Sequence, residues 1–176
     1  MKRIIIIILV IVIVLSSGIY AVYNNYQLGQ DLELATHKLS IISYELADSI
    51  DSLQDKCSNS PSDRLFLFVH SFEEALKMTQ STFGSSGMPL REDVFNDWVT
   101  RLSKLWRKIV GLDVDEMKQL FQNEAEDLTE LKGDLYHLTD CLNEFNDRYN
   151  EMSFWERCFT SWEKERDALS EQVKFS

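Results

Sequence analysis

Histidines and carboxylates are the residues of this chain whose types could bind a metal, but their spacing is unfavourable for it. The three histidines are His37, His70 and His137, and no H-E-x-x-H motif is present. Glu33 lies four residues before His37, and Asp134 lies three residues before His137. A carboxylate-type metal site in a helical bundle uses Glu-x-x-His motifs on two helices and further inward-facing Glu residues. That pattern is absent, so we predict no metal site and no cofactor.

Three cysteines are the second group with chemical potential. Cys57, Cys141 and Cys158 form no C-x-x-C motif, so a redox motif or a zinc ribbon is not indicated. If the chain reverses near residue 150, Cys141 and Cys158 reach similar heights in a hairpin and can form a disulfide. Cys57 is then left free or cross-links a second chain. The alternative is three unpaired thiols.

Nucleophilic catalysis has no recognisable motif here. There is no G-x-S-x-G context and no glycine-rich phosphate loop. Ser and Asp are abundant, but they fit helix caps and solvated surfaces. We therefore predict a protein that is not an enzyme. A net charge of −11 also argues against nucleic acid as a partner, because that needs a basic surface.

The N-terminal stretch is apolar enough to be a membrane anchor. Ile4–Tyr23 contains no charge, and as a helix it spans about 30 Å, which is the thickness of a bilayer core. Tyr20, Tyr23 and Tyr26 follow at helical spacing, where an aromatic belt meets the headgroups. The sequence thus predicts lipid contact through Ile4–Tyr23 and two regions, an anchor over 1–26 and a folded domain over 27–176.

A cleavable signal peptide is the alternative for this stretch. Lys2 and Arg3 would be its basic end, Ile4–Leu15 its apolar core, and Ser16–Gly18 its small-residue cleavage site. The apolar character resumes after Gly18, which favours retention as an anchor. Under either interpretation the basic residues place the N-terminus in the cytoplasm and the domain in the periplasm or outside the cell.

The region after the anchor has the periodicity of packed helices. Apolar residues recur at alternating spacings of four and three, which is typical of a coiled-coil-like seam. The first seam comprises Leu28, Leu32, Ala35, Leu39, Ile42, Leu46, Ser49 and Leu53. Further helices are predicted over about 61–83, 89–110 and 113–152, the last with Asp113 and Glu116 as a capping pair, and a fifth after Ser153. We expect an all-α fold, in which the anchor helix precedes an antiparallel bundle of four to five helices.

Two surface features are candidate partner sites. The predicted third helix carries a basic face of Arg101, Lys104, Arg107 and Lys108, which either pairs with the acidic fourth helix or binds an acidic partner. The segment at 154–166 crowds Phe154, Trp155, Phe159 and Trp162 into a short amphipathic helix. These rings either close the membrane-proximal core, enter the headgroup region or bind a protein.

The layout as a whole favours a single-pass membrane protein that acts through protein contact. We expect an accessory, scaffold or inhibitor subunit of an envelope complex, with another protein or a second copy of the chain as partner. The alternative is an extracytoplasmic ligand-sensing bundle that signals through a partner protein, and a spanning protein of the lysis type is a further alternative.

Overall fold

The computed structural model describes residues 2–56, 89–109 and 112–174. Within these ranges every regular element is an α-helix and no strand occurs. The helices are α1 (Lys2–Lys56), α2 (Glu92–Ile109), α3 (Val114–Asn123), α4 (Ala125–Glu151), α5 (Phe154–Phe159) and α6 (Trp162–Gln172). The predicted helix over about 61–83 lies outside the described residues, so the number of helices in the predicted bundle is not fixed by them.

Helix α1 is unbroken over 55 residues and has two parts of different character. From Ile7 to Tyr20 every side chain is exposed, although nearly all of them are apolar. Among the described helices, this is the one whose length and composition suit a membrane crossing. Beyond Gly29 the same helix buries one face in the folded domain, including Leu32, Leu39 and Leu46.

Helices α1 and α4 run antiparallel, and buried hydrogen bonds between them fix their register. Thr36 Oγ1 lies 2.6 Å from Asn146 Oδ1, and Ser43 Oγ lies 2.8 Å from Thr139 Oγ1. Each step up α1 is matched by an equal step down α4, which is the signature of antiparallel neighbours. Leucines of the two helices belong to one core. That core also contains Leu90, just before α2, Trp98 of α2, and Trp162 and Leu169 of α6.

The predicted fourth helix is divided in two by a kink at Glu124. The dihedral angles there are φ −109° and ψ 22°, but the N–H of Glu124 still donates to the carbonyl of Leu120 and the N–H of Leu128 to that of Glu124. These two backbone hydrogen bonds flank the bend at Glu124. The kink falls at the one polar position of an otherwise apolar seam, and it leaves the Glu124 carboxylate bonded to Lys108. The capping box of Asp113 and Glu116 is confirmed.

The predicted fifth helix is likewise two helices. The bend after Met152 and the capping box of Ser153 with Glu156 are confirmed, but α5 ends after six residues. Thr160 is extended, with ψ 140°, and the chain turns so that Trp162 enters the core. Asn25 of α1 satisfies two carbonyls at this helix end, since its Nδ2 donates to Cys158 O at 2.8 Å and to Thr160 O at 3.0 Å.

Candidate interaction surfaces

The basic face of α2 lies beside the acidic helices, and two of its four residues form ion pairs. Arg101 Nη1 is 2.8 Å from Asp134 Oδ2, and Lys108 Nζ is 2.6 Å from Glu124 Oε1. These pairs bound an open, charged cleft of about 290 Å³. Because the side chains are about one third exposed, such pairs contribute little to stability, roughly 0–1 kcal/mol each. The expectation that the basic and acidic helices are neighbours holds for Arg101 and Lys108.

The other two basic residues differ in position, since Lys104 also lines this cleft whereas Arg107 does not. Lys104 and Arg107 are exposed, and within the described part of the chain neither has an ion pair. Their positions suit a contact with an acidic partner. The predicted docking strip is thus reduced from four cations to two.

The four aromatic residues of the 154–166 segment do not form a single site. Trp162 is only 2% exposed and packs in the core against Tyr149, with ring centroids 5.3 Å apart. Phe154, Trp155 and Phe159 are 55%, 66% and 71% exposed. We call these three the aromatic collar. Trp162 thus closes the end of the core that faces Gly29 of α1, whereas the collar remains available at the surface.

The collar is attached to α1 at the end of the apolar stretch. Phe154 contacts Tyr26 with ring centroids 5.2 Å apart, and Trp155 lies between Phe154 and Phe159 with centroid distances of 5.4 and 6.4 Å. Tyr20 and Tyr23 of α1, just before this contact, are also exposed. Aromatic rings from two separate parts of the sequence therefore meet at one height.

A row of exposed apolar residues on α1 was missed by the sequence analysis. Leu34, Ile41 and Tyr44 are 49%, 47% and 53% exposed. At 100° per residue they lie on the side of α1 opposite to the buried Leu32, Thr36 and Leu39. We call these three the α1 row. Their spacing of seven and three residues is present in the sequence. The neighbouring seam has more apolar residues, so only that seam was assigned as a packing face of α1.

The predicted disulfide between Cys141 and Cys158 does not form in the structure, where both thiols are free and buried. Cys158 lies at the height of Asn25, to which its carbonyl is bonded, whereas Cys141 lies two residues beyond Thr139, the partner of Ser43, and so at about the height of Ile41. That difference along α1 is about 24 Å, and a disulfide requires Cα atoms within about 7 Å. The prediction treated α5 as a continuation antiparallel to α4, but α5 packs on α1 instead. Cys57 lies outside the described residues.

The chemistry of the remaining thiol and histidine groups is unremarkable. Burial first, and then the charges of Glu144 and Asp140, raise the pKa of the Cys141 thiol, so it stays protonated and poorly nucleophilic. His37 is exposed, and His137 lies 3.1 Å from the carbonyl of Gln172. In the described ranges no three His, Cys, Asp or Glu side chains converge as metal ligands would. His70 lies outside these ranges.

Comparisons of the chain with protein-family models, with curated proteins and with solved structures found no match.

Proposed function

We propose that this chain is a non-catalytic, membrane-anchored helical protein that acts by binding another protein in the cell envelope. In this proposal Ile4–Tyr23 crosses the bilayer, Lys2 and Arg3 stay in the cytoplasm, and the helical domain lies in the periplasm or outside the cell. The role that fits is that of an accessory, scaffold or inhibitor subunit.

The continuity of α1 supports the membrane part of the proposal. Its exposed residues 7–20 would otherwise present an apolar surface to water along several helical turns, which soluble proteins avoid. Lipid removes that cost, and a helix satisfies its own backbone hydrogen bonds there. The following residues of the same helix are held in the domain core, so anchor and domain are joined without a linker.

The α1 row is the observation that carries the protein-contact part. Residues at i, i+7 and i+10 are the anchors with which a helix binds an apolar groove or a second helix. Leu34 and Ile41 stand one heptad apart, and Tyr44 continues the row while its ring meets Tyr136 of α4 at 6.1 Å. Lys104 and Arg107 on α2 are a separate, charged surface that suits the same kind of partner.

The apolar interior gives no support to the ligand-sensing alternative, since the larger hollows, of about 290 and 530 Å³, are open surface clefts along α2 that Lys104 and Lys108 line. The apolar cavity between α1, α2 and α4, lined by Leu39, Phe95 and Leu135 among others, holds only about 20 Å³. That volume suits a single water molecule, whereas a small-molecule site needs about 300–1,000 Å³.

Site-specific photocrosslinking in native membranes tests the contact. A photoreactive phenylalanine analogue replaces Ile41, and a matched variant carries it at Glu144, an exposed α4 position at nearly the same height. We expect one discrete adduct from position 41 and none from position 144. An adduct of twice the chain mass identifies a second copy, and any other defined mass identifies a different partner.

Three results would contradict the proposal. The first is the absence of a discrete adduct at position 41 in intact membranes. The second is activity of a C-terminally fused reporter enzyme of the kind that works only in the cytoplasm. Such activity would place the C-terminus in the cytoplasm, opposite to the proposed topology. The third is a crosslink within a single chain, recognised because the mass stays that of one chain and peptide mapping finds two joined segments of it. That result would show that the α1 row is covered by the chain itself.

A further inference from the structure

The aromatic collar concentrates the exposed apolar surface of the folded domain at one place. In the described ranges outside α1, the large apolar side chains that are exposed are Phe154, Trp155 and Phe159, all on α5. Three large rings within six residues form a patch rather than scattered exposure, and such patches mark interaction sites.

The position of the patch is set by its contacts with α1. Asn25, which bonds the end of α5, lies two residues beyond Tyr23, or about 3 Å along the helix axis. The collar therefore stands where the proposed membrane segment ends. Exposed Tyr20 and Tyr23 flank it from the apolar side.

Several contacts hold α5 in a fixed position. Its first turn is closed by the capping box of Ser153 and Glu156, and its last carbonyls accept from Asn25. The guanidinium of Arg157 lies over the Tyr149 ring at 4.4 Å, and Cys158 is buried against the domain. The helix thus turns one side to the domain, while its three collar rings are exposed on the other.

The charges around the collar select the kind of surface it fits. On α5 itself Glu156 and Arg157 balance each other, and exposed Glu151 and Glu163 lie on either side in the sequence. There is no excess of cations to attract anionic lipid. Trp and Phe rings partition into the headgroup region without needing charge, because that region accommodates flat, amphipathic or apolar rings.

We propose that the aromatic collar inserts into the zwitterionic headgroup region of the same bilayer that α1 crosses, and so gives the domain a second membrane contact. This inference rests on the proposed membrane anchorage. With two contacts, the domain is held at a defined tilt and rotation above the bilayer. A protein partner for the collar is the competing interpretation. Fluorescence quenching in vesicles distinguishes membrane insertion from a protein contact.

Fluorescence quenching in vesicles tests the insertion on the full-length chain. The chain is reconstituted into phosphatidylcholine vesicles that carry bromine either near the glycerol end or near the methyl end of the acyl chains. Bromine quenches tryptophan only at short range. Trp155→Phe removes the reporter but keeps an aromatic ring, and Trp98→Phe removes a buried reporter of α2 as the matched control. A helical circular dichroism spectrum verifies that each variant is folded.

We expect the wild type to be quenched more by bromine near the glycerol than by bromine near the methyl end. Trp155→Phe should lose most of that quenching, and Trp98→Phe should retain it. Replacing part of the phosphatidylcholine by phosphatidylglycerol should leave the signal unchanged. A large increase with phosphatidylglycerol would overturn the zwitterionic assignment.

Flotation of the vesicles distinguishes the failure of the collar from the failure of the anchor. If the chain floats with the vesicles but Trp155→Phe is quenched as much as the wild type, Trp155 is in water and the collar proposal is wrong, while the anchorage stands. If the chain does not float, the anchorage fails and the collar proposal falls with it.

Discussion

Two glycines in helices provide the sharpest test of the packing, because the same substitution should act in opposite directions. Gly29 of α1 faces Trp162, and a Cβ added there would lie 2.6 Å from Nε1 and 2.7 Å from Cζ2 of the indole. Gly133 of α4 is exposed, and a Cβ added there would meet nothing within 4 Å. We expect Gly29→Ala to destabilise the domain and Gly133→Ala to stabilise it.

The magnitudes follow from two opposing terms. Ala is favoured over Gly in a helix by about 1 kcal/mol, which applies at both positions. At Gly29 the indole must also move, although it is 2% exposed and its Nε1 donates to Arg157 O at 3.1 Å. Overpacking of this kind costs about 1–3 kcal/mol, and the strained hydrogen bond adds up to about 1 kcal/mol. The net change is therefore about 0–3 kcal/mol of destabilisation for Gly29→Ala and about 1 kcal/mol of stabilisation for Gly133→Ala.

Urea unfolding of the full-length chain in detergent micelles measures both effects. Loss of helical circular dichroism and the change in tryptophan fluorescence report the domain, and linear extrapolation gives the free energy of unfolding. Because the helix term is common to both variants, they should differ by the packing and hydrogen-bond costs, about 1–4 kcal/mol, with Gly29→Ala the less stable. Equal stabilisation by both substitutions would refute the packing of Trp162 on α1, because it would show that Gly29 faces open space.

Three further predictions concern the interior and the α2 end of the domain. In urea unfolding, Thr36→Val should destabilise the domain by about 1–3 kcal/mol, because it leaves buried Asn146 Oδ1 without its donor. Asn146→Leu should destabilise it by less, because Thr36 Oγ1 can still donate to the carbonyls of Leu32 and Glu33. The reverse order would contradict the assigned bond. The guanidinium of Arg91, first through its hydrogen bond, lowers the pKa of Asp93 from 3.8 to about 2, so ionised Asp93 stabilises the fold above pH 3.8 and that contribution disappears as the pH falls through about 2. The stability difference between wild type and Asp93→Asn should therefore shrink over that pH range, and a constant difference would exclude the pair. In a Cys57→Ser variant, Cys141 and Cys158 should resist a membrane-permeant maleimide until urea is added, and rapid labelling of the folded variant would show that they are not buried.

The seams of α1 and α4 were predictable because packing against one neighbour repeats at helical spacing. Leu32, Leu39 and Leu46 were assigned to the buried face from their period alone, and the structure buries all three. The capping boxes at Asp113 and Ser153 were also readable, since they depend on residues three positions apart. Local rules sufficed wherever the deciding contacts lie within about one turn of the helix.

Features that depend on contacts between distant residues were not predictable from the sequence. The break between α5 and α6 depends on Trp162 entering the core and on Asn25 bonding Thr160, across more than 130 residues of sequence. The same break moves Cys158 away from Cys141. Buried Thr36 and Ser43 were not predicted either, because hydroxyl groups are acceptable in a core only when a particular partner on another helix is present.

In the proposed anchorage, the unbroken α1 would act as a spacer of fixed length. Ile41 lies 18 residues beyond Tyr23, so a molecule that binds there would approach about 27 Å from the end of the proposed membrane segment. Inserting a whole heptad between Tyr23 and Asn24 would raise that height by about 10 Å, preserve the helical face and leave the contacts of Asn25, Tyr26 and Gly29 with the domain intact. Partners tethered to the same membrane would therefore be sorted by their reach as well as by their surface.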